Sequence, residues 1–419
     1  MTLDSEFVRR QFPAFTEPSL ARQAFFENAG GSYACAQVVN RLTEYYRRLK
    51  VQPYYPFRAS TEAGEWMDAA RLRLAEYLGV TADEVHLGPS TSQNTYVLAQ
   101  AVRTLLEPGD EIIVTNQDHE ANSGSWRRLA RHGVVVREWR VDPQSGRLDE
   151  AQLERLIGPR TRLLAFPHAS NVVAHINPVA RITARAHARN VLTVVDGVAW
   201  APHGLPDVAA LGADIYLFSL YKTYGPHQGL MVVRADVLRR LGNEGHYFNE
   251  AEGGKRLVPA GPDHAQVAAA RGIAEYFDGL DAHHSKAAAA SDAAGCRARA
   301  ERVRTLLRAA ELPLLAKLLD YIAARKDARL LGPAEAEERA ATVSFVTATA
   351  PEEVARALAA RGVMAGFGNF YAVRLFEGMN VDPQRGAVRL SLLHYNTVDE
   401  VASVITALDE ILGASGRRQ

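Results

Sequence analysis

Between Phe25 and Leu241 the chain alternates short apolar runs with amphipathic stretches. The apolar runs have the length of buried strands, whereas the stretches between them have helical periodicity. The predicted strands are 85–88, 111–115, 134–139, 163–166, 192–195 and 215–218, and the predicted helices are 91–105, 121–132, one around Leu153, and 179–189. Strands separated by helices need crossover connections, so the pattern predicts an α/β domain with a mainly parallel sheet.

The pattern changes after about Gln266. An Ala-rich and Arg-rich stretch, which includes Ala287 to Ala290, continues to Ala324 and predicts a pair of long connecting helices. Beyond it, the predicted strands are 341–347 and 386–392, and the predicted helices are 351–361 and 398–412. These elements predict a small α/β domain. The resulting division is an N-terminal arm (1–24), a large domain (25–275) and a small C-terminal domain (276–419).

Composition narrows the class of protein. A chain of 419 residues with 47% hydrophobic residues is long enough for two domains. Acidic and basic residues balance at 48 each, which argues against nucleic acid or an anionic membrane as the main partner. Two cysteines make no disulfide framework, and neither a signal-peptide core nor a membrane-spanning run is present in the sequence. These features predict a cytoplasmic protein.

Two residues that follow predicted strands carry candidate chemistry. Asp196 comes directly after the 192–195 run, and Lys222 lies just beyond the 215–218 run, among aromatic residues. Taken singly, the aspartate could be a helix cap and the lysine a surface residue. A partly desolvated lysine is instead an amine nucleophile with a lowered pKa. Pyridoxal 5′-phosphate (PLP) chemistry needs a lysine Schiff base and an acid at the pyridine nitrogen, and this pair supplies both.

A phosphate site is predicted where the first strand of this series meets its helix. Ser90 and Thr91 lie in the connection, where backbone N–H groups and the helix dipole favour an anion. Ser219, three residues before Lys222, is a further candidate hydroxyl. The alternative is an ordinary helix cap without a ligand.

Three more residues could contact a cofactor or its substrate. His119 could stack on a pyridine ring, Asn171 could bond the ring oxygen, and Arg389 could grip a carboxylate through its planar fork. The alternatives are a histidine in a helix-start turn, a loop asparagine, and an arginine on the solvent side of a strand.

Five segments, in order, resemble the class V aminotransferase family of fold-type I PLP enzymes, with the cysteine-desulfurase-like branch as the nearest relatives. They are DHEAN (118–122), SNVVAHINPV (170–179), VDGVAWAPH (195–203), FSLYKTYGP (218–226) and VRLSLLHYNT (388–397). The resemblance implies a large domain with a mainly parallel, seven-stranded-type sheet and a small C-terminal α/β domain. It also implies PLP as cofactor, an amino-acid substrate and a homodimer, and it implies no metal site.

The resemblance assigns roles residue by residue. Lys222 corresponds to the Schiff-base lysine, Asp196 to the partner of the pyridine nitrogen, and His119 to the stacking histidine. The remaining correspondences are Asn171 to the cofactor and substrate asparagine, Arg389 to the carboxylate-binding arginine, and Ser90, Thr91 and Ser219 to phosphate hydroxyls. Tyr221 stands where desulfurases often have histidine and is counted with the cofactor-binding residues.

Departures from the desulfurase pattern direct the functional prediction. The stretch 366–378 corresponds to the loop that carries the desulfurase cysteine, and it contains none. Cys35 and Cys296 are far from this loop, and Ala199 replaces a family glutamine. The first hypothesis is therefore a carbon–sulfur or carbon–selenium β-lyase acting on cysteine or an S-substituted cysteine. An aminotransferase or epimerase is the alternative, and a cysteine desulfurase or a non-catalytic binding partner is less favoured.

Two aromatic segments are candidates for the lining of the substrate pocket. They are 52–58 (QPYYPFR) and 368–371 (GNFY). The alternative is that their rings belong to the core or to a dimer interface.

Overall fold

The computed structural model describes residues 2–285 and 293–413. The strands are β1 Ala24–Phe26, β2 Val85–Gly88, β3 Glu111–Thr115, β4 Val135–Trp139, β5 Thr161–Pro167, β6 Leu192–Asp196, β7 Ile215–Ser219, β8 Gly229–Val233, β9 Ala328–Leu331, β10 Thr342–Thr347, β11 Val363–Gly368 and β12 Ala387–Ser391. The helices are α1 Ser5–Arg10, α2 Ala36–Glu44, α3 Arg58–Leu78, α4 Thr91–Arg103, α5 Glu120–Arg127, α6 Glu150–Leu156, α7 Val179–His187, α8 Val208–Leu211, α9 Ala235–Leu238, α10 His264–Ala269, α11 Arg271–His284, α12 Ala293–Ala323, α13 Pro351–Ala359, α14 Val373–Gly378 and α15 Val398–Leu412.

The large sheet has seven strands in the order β2-β8-β7-β6-β5-β3-β4. The neighbours from β7 to β4 are parallel, which confirms the predicted mainly parallel sheet. Strand β8 is antiparallel to both β2 and β7, so the sheet is mixed. The sequence analysis does not predict β8, because its run follows a tight turn instead of a crossover helix.

Both faces of the large sheet are covered. Alternate residues of β7 enter two different apolar clusters: Tyr216 and Phe218 pack on one side, Ile215 and Leu217 on the other. Side chains alternate across a strand, so a continuous apolar run is what a strand between two helical layers requires.

The second sheet has five strands in the order β1-β11-β12-β10-β9. Its two predicted strands are present as β10 and β12. Strand β1 comes from the far end of the chain and pairs in parallel with β11, while the other neighbours are antiparallel. The three-part division of the chain stays a prediction, and residues 24–26 at its first boundary lie in the C-terminal sheet.

One long helix joins the two cores. The N-terminal half of α12 packs Val303 and Leu307 into the cluster of the large sheet, and its C-terminal half packs Leu315 and Leu318 against the small sheet. With α11 it forms the predicted helix pair, and Ala287 to Ala290 lie outside the described residues. Across the described ranges, every helix is too short or too polar to cross a membrane.

Candidate active site

The ends of two adjacent parallel strands form the centre of a cleft. Asp196 is the last residue of β6, and Lys222 ends a 3₁₀ turn (Leu220–Lys222) that directly follows β7. Strands β6 and β7 pair with each other, so their carboxyl ends open at the same edge of the sheet. The cleft has a volume of about 530 Å³. Its lining residues are Ser90, Thr91, Ser92, His119, Ala121, Pro167, Ala169, Asn171, Asp196, Val198, Ala199, Ser219, Tyr221 and Lys222.

Lys222 is a buried amine, with only 9% of the residue exposed. Within the described ranges its ammonium group has no hydrogen bond or ion pair, and its nearest recorded contact is the Tyr221 ring, 5.8 Å from Nζ to centroid. Burial, with a smaller effect of the Arg389 charge, lowers the pKa of Lys222 to about 8. A neutral amine is a nucleophile and a base, so the fold prepares this lysine for both roles.

Asp196 is a buried carboxylate that accepts a hydrogen bond from the backbone N–H of Val198 at 2.8 Å. Burial raises the pKa of Asp196 to about 6, against the opposing effects of this hydrogen bond and of Lys222. The group is therefore mostly ionised at neutral pH. An ionised carboxylate in a dry cleft can hold a proton on a neighbouring ring nitrogen.

His119 begins α5 and lines the cleft at the same time. Its Nδ1 accepts a hydrogen bond from the backbone N–H of Ala121 at 3.0 Å, so the proton of the neutral ring is on Nε2. Burial, followed by the charges of Lys222 and Arg389, lowers the pKa of His119 to about 3. His119 therefore caps the helix and lines the cleft with a neutral ring, and its stacking on a pyridine ring stays a prediction.

Three hydroxyl-bearing residues meet at the N-terminus of α4. Ser90 is the cap, and its side chain accepts a hydrogen bond from the Gln93 N–H at 3.2 Å. The hydroxyls of Thr91 and Ser219 lie 2.8 Å apart, although they are 128 residues apart in the chain. The structure thus brings together the hydroxyls that the sequence analysis proposed for a phosphate, beside the first N–H groups of a 13-residue helix.

A second compartment, of about 810 Å³, opens beside the cleft. It shares four lining residues with the cleft: His119, Asn171, Tyr221 and Lys222. Its other lining residues are Glu27, Ala29, Gly30, Ala365, Gly366, Phe367, Phe370, Tyr371 and Arg389. The segment 368–371 therefore does contribute to the lining. No residue of the 52–58 segment lines either compartment in the described part of the chain, and its aromatic rings are exposed.

Arg389 lies on β12 and lines this compartment, and its side chain is only 4% exposed. Its Nη1 donates a hydrogen bond to the backbone carbonyl of Asn171 at 3.1 Å, and its guanidinium carbon lies 4.0 Å from the centroid of the Phe370 ring. Its Nη2 pairs with the carboxylate of Glu27. The solvent-facing alternative for Arg389 is therefore wrong.

Two buried polar atoms at the border of the compartments have no partner within the described residues. They are Oδ1 of Asn171 and Nε of Arg389. The Asn171 side chain is fixed in place, because its Nδ2 donates to the carbonyl of Phe370 at 2.9 Å. Buried polar groups without partners are rare, so these atoms point to a polar ligand at this border.

One lining residue and one neighbour of the site were not predicted from the sequence. Glu27, which follows β1, lines the second compartment, and the exposed His227 stacks on Tyr221 with ring centroids 4.6 Å apart. Strand β1 has only three residues, too few for a recognisable period in the sequence, and no local feature indicates that it pairs with β11. His227 lies five residues past Lys222, where the turn reverses the chain.

Neither cysteine belongs to the site. Both are buried, and neither lines the two compartments. Burial raises the pKa of the Cys35 thiol to about 12, and its Sγ lies 3.7 Å from the carbonyl of Gly272. The stretch 366–378 contains the end of β11 and α14 and carries no thiol. The chain therefore has no reactive thiol beside Lys222.

A family model described as "Aminotransferase class-V" matches residues 24–404. The chain belongs to the class V aminotransferase family. An "Aminotransferase-like protein FGM3" of Gibberella zeae is 33% identical, over 97% of this chain and 98% of that protein. A "Probable cysteine desulfurase" of Pseudomonas aeruginosa is 31% identical, over 98% of this chain and 99% of that protein.

Solved structures of class V aminotransferase relatives share the fold. The cysteine desulfurase CsdA of Escherichia coli aligns with a TM-score of 0.82 at 24% identity, covering 99% of this chain and all of that one (100%). A C-DES mutant with glycine covalently linked to the PLP cofactor aligns with a TM-score of 0.74 at 19% identity, covering 96% of this chain and 98% of that one. These matches confirm the predicted family, the fold-type I architecture and PLP as the cofactor.

The residues of the cleft fit PLP. A buried amine without a partner suits the aldehyde, and a buried carboxylate suits the ring nitrogen. Clustered hydroxyls at a helix N-terminus suit the phosphate.

Proposed function

We propose that this protein is a PLP-dependent β-lyase that cleaves the carbon–sulfur or carbon–selenium bond of cysteine or an S-substituted cysteine. One observation carries the proposal: within the described residues, Lys222 is buried and unpaired between an acid-bearing cofactor cleft and an arginine-bearing compartment, and no thiol lines either of them. The relatives named cysteine desulfurase support chemistry at a carbon–sulfur bond.

On the cofactor side, each residue has a separate task. With PLP bound, Lys222 would hold the aldehyde carbon, Asp196 would keep the ring nitrogen protonated, and His119 would cover one face of the ring. The neighbouring hydroxyls of Thr91 and Ser219 would donate to the phosphate. PLP, when bound, supplies an electron sink that stabilises negative charge at the α-carbon of an amino acid.

On the substrate side, Arg389 receives the α-carboxylate through its planar fork, and the unpartnered Oδ1 of Asn171 accepts a hydrogen bond from the bound molecule. The Lys222 amine would remove the α-proton of the substrate, because Lys222 lines the compartment in which the substrate would bind. With its pKa near 8, Lys222 can both take and return a proton at neutral pH.

The missing thiol decides what happens to the sulfur. In a site that lacks a cysteine nucleophile, the sulfur leaves together with the bonding electrons of the Cβ–S bond and is protonated to a thiol. Addition of water to the remaining three-carbon unit gives pyruvate and ammonia. The overall reaction consumes one water and needs no oxidant or reductant.

The test is a set of turnover assays with cysteine, cystine, S-alkylcysteines, their sulfoxides and alanine. Pyruvate formed in an amount equal to the released sulfur species, without an added keto acid, would support the β-lyase. That species is sulfide from cysteine, a persulfide from cystine, a thiol from an S-alkylcysteine and a sulfenic acid from a sulfoxide. Product that appears only when a keto acid is supplied would identify an aminotransferase, and exchange of the α-proton without bond cleavage would identify an epimerase. Either result would contradict the proposal.

A further inference from the structure

Glu27 places a carboxylate in the substrate compartment. It follows β1, which pairs with β11, and β11 in turn pairs with β12, the strand that carries Arg389. This order brings Glu27 into an ion pair with Arg389 across 362 residues of chain. The Glu27 side chain is 30% exposed and lines the same compartment as Lys222.

The position of this carboxylate is built into the backbone. A methyl group added at Gly30 would lie 1.8 Å from Oε2 of Glu27, and one added at Gly366 would lie 2.7 Å from Oε1. The carboxylate thus occupies a slot between two glycines from distant parts of the chain. A side chain at either glycine would overlap the carboxylate, so the two glycines leave the space in which Glu27 reaches Arg389.

Glu27 is the acid nearest to a substrate in this compartment, because the other titratable groups that line it are cationic or neutral. The groups that line it are Arg389, Lys222, the neutral ring of His119, the hydroxyls of Tyr221 and Tyr371, and Glu27 itself. Asp196 belongs to the cofactor cleft and not to this compartment.

A substrate carboxylate on Arg389 must share that guanidinium with Glu27. In the described ranges Nε of Arg389 has no hydrogen-bond partner, so the guanidinium keeps an N–H donor that is not used by Glu27. When its charge is shared between two carboxylates, the excess negative charge of Glu27 acts on the rest of the substrate.

We propose that Glu27 determines the charge specificity of the site, favouring amino acids whose sulfur substituent ends in a cationic group and rejecting those that end in an anion. This inference rests on the proposed β-lyase function. The competing interpretation gives Glu27 a purely structural role, in which it only neutralises the buried Arg389.

Three substrates of similar shape separate these interpretations: S-(2-aminoethyl)cysteine, S-propylcysteine and S-carboxymethylcysteine. Their distal groups are cationic, neutral and anionic. For the holoenzyme, dissociation constants come from the change in the cofactor's visible absorption, and kcat/KM comes from pyruvate release. We expect the cationic substrate to have a dissociation constant at least about tenfold lower, and a kcat/KM at least about tenfold higher, than the anionic one, because unit charges lie a few ångströms apart in a partly dry compartment.

The matched variants are Glu27→Gln, which keeps the shape and removes the charge, and Glu352→Gln, which removes the acid of an exposed helical ion pair. Glu27→Gln is expected to bring the ratio of cationic to anionic substrate close to one, and Glu352→Gln to leave it unchanged. If Glu27→Gln changes all three substrates by the same factor, Glu27 is structural and the proposal is wrong.

Three further results would each have a clear meaning. If Glu27→Gln fails to fold or to hold the cofactor, the wild-type ratio alone decides, because equal binding of the cationic and anionic substrates would overturn the proposal. If none of the three amino acids alters the cofactor's absorption, the proposed β-lyase function fails first. If all three bind without charge preference, only the role of Glu27 fails.

Discussion

The cofactor cleft and the substrate compartment share four lining residues, but the charged groups of the two regions differ in how they are stabilised. In the cleft, burial shifts the groups toward their neutral forms: the pKa of Lys222 falls to about 8, that of His119 falls to about 3, and that of Asp196 rises to about 6. In the compartment, the two charged groups Glu27 and Arg389 form an ion pair: burial lowers the pKa of Arg389, and the charge of Glu27 opposes this shift.

This difference indicates how each side accepts its ligand. A desolvated group without a partner gains interaction free energy when a ligand provides a partner, so the cleft is prepared to hold a resident cofactor. A charge that is already in an ion pair gains little free energy unless the ligand replaces its partner or shares it. The compartment is therefore suited to a molecule that enters and leaves, and the cleft to one that stays.

The largest effect is expected from removing Lys222, whose amine lines both the cleft and the compartment. Lys222→Ala is expected to lower kcat by about 1,000-fold or more, because both the anchor and the base are lost. The visible absorption band of the bound cofactor should shift as well. Lys326→Ala, at an exposed lysine, is the control. A Lys222→Ala protein that keeps normal turnover would remove this residue from the mechanism.

Asp196→Asn tests whether charge in the cleft matters apart from shape. The asparagine oxygen can still accept the hydrogen bond from Val198, so the fold should persist while the negative charge is lost. We expect kcat to fall about 100-fold with the cofactor still bound. Asp236→Asn, at an exposed acid, should have no effect. Unchanged kcat in Asp196→Asn would show that the ring nitrogen needs no acid here.

Arg389→Lys tests the compartment separately. Lysine keeps the positive charge but loses the planar fork, so KM for an amino acid should rise by about 10-fold to 100-fold, with a smaller change in kcat. PLP binding should be unaffected, because Arg389 does not line the cleft. Arg385→Lys, four residues earlier and exposed, is the matched control. A fall in PLP affinity instead of the rise in KM would assign Arg389 to the cofactor.

The pH dependence of PLP uptake tests the desolvation of Lys222. Only the neutral amine attacks the aldehyde, and with a pKa of about 8 this form decreases tenfold for each pH unit below that value. The rate of uptake by cofactor-free protein, followed by stopped-flow absorbance, should therefore rise with pH up to about 8 and then level off. A small-molecule primary amine provides the reference for ionisation of PLP itself. A rate that keeps rising to the usual lysine value of 10.5 would mean that the amine is solvated.

The smallest expected effect is at the phosphate hydroxyls. Ser219→Ala removes one hydrogen-bond donor to the phosphate. We expect the PLP affinity, measured by equilibrium dialysis, to fall about tenfold. Turnover at saturating PLP should change little, because the reacting atoms are not touched. Ser403→Ala, at an exposed helix position, is the control. An equal loss in both variants would exclude a phosphate role for Ser219.

Much of the cofactor cleft could be predicted from the sequence because its residues follow buried parallel strands. Asp196 and Lys222 are placed by β6 and β7, and the rule that strand ends share an edge brings them together without knowledge of the full fold. The roles of these residues remain predictions, as do the homodimer and the domain boundaries. The substrate side was harder to predict from the sequence, since the position of Glu27 depends on the pairing of β1 with a strand more than 300 residues away.

The sequence by itself determined the α/β architecture, the family and the cofactor, because apolar periodicity and motif order are local properties that persist in any packing of the chain. It also determined that no thiol lies in the 366–378 stretch, since only two cysteines exist and both lie elsewhere. The tertiary structure alone decided the reversal of β8, the burial that shifts the pKa of Lys222, and the meeting of Glu27 with Arg389. These depend on contacts between distant segments, and burial and pairing exist only once those segments have come together.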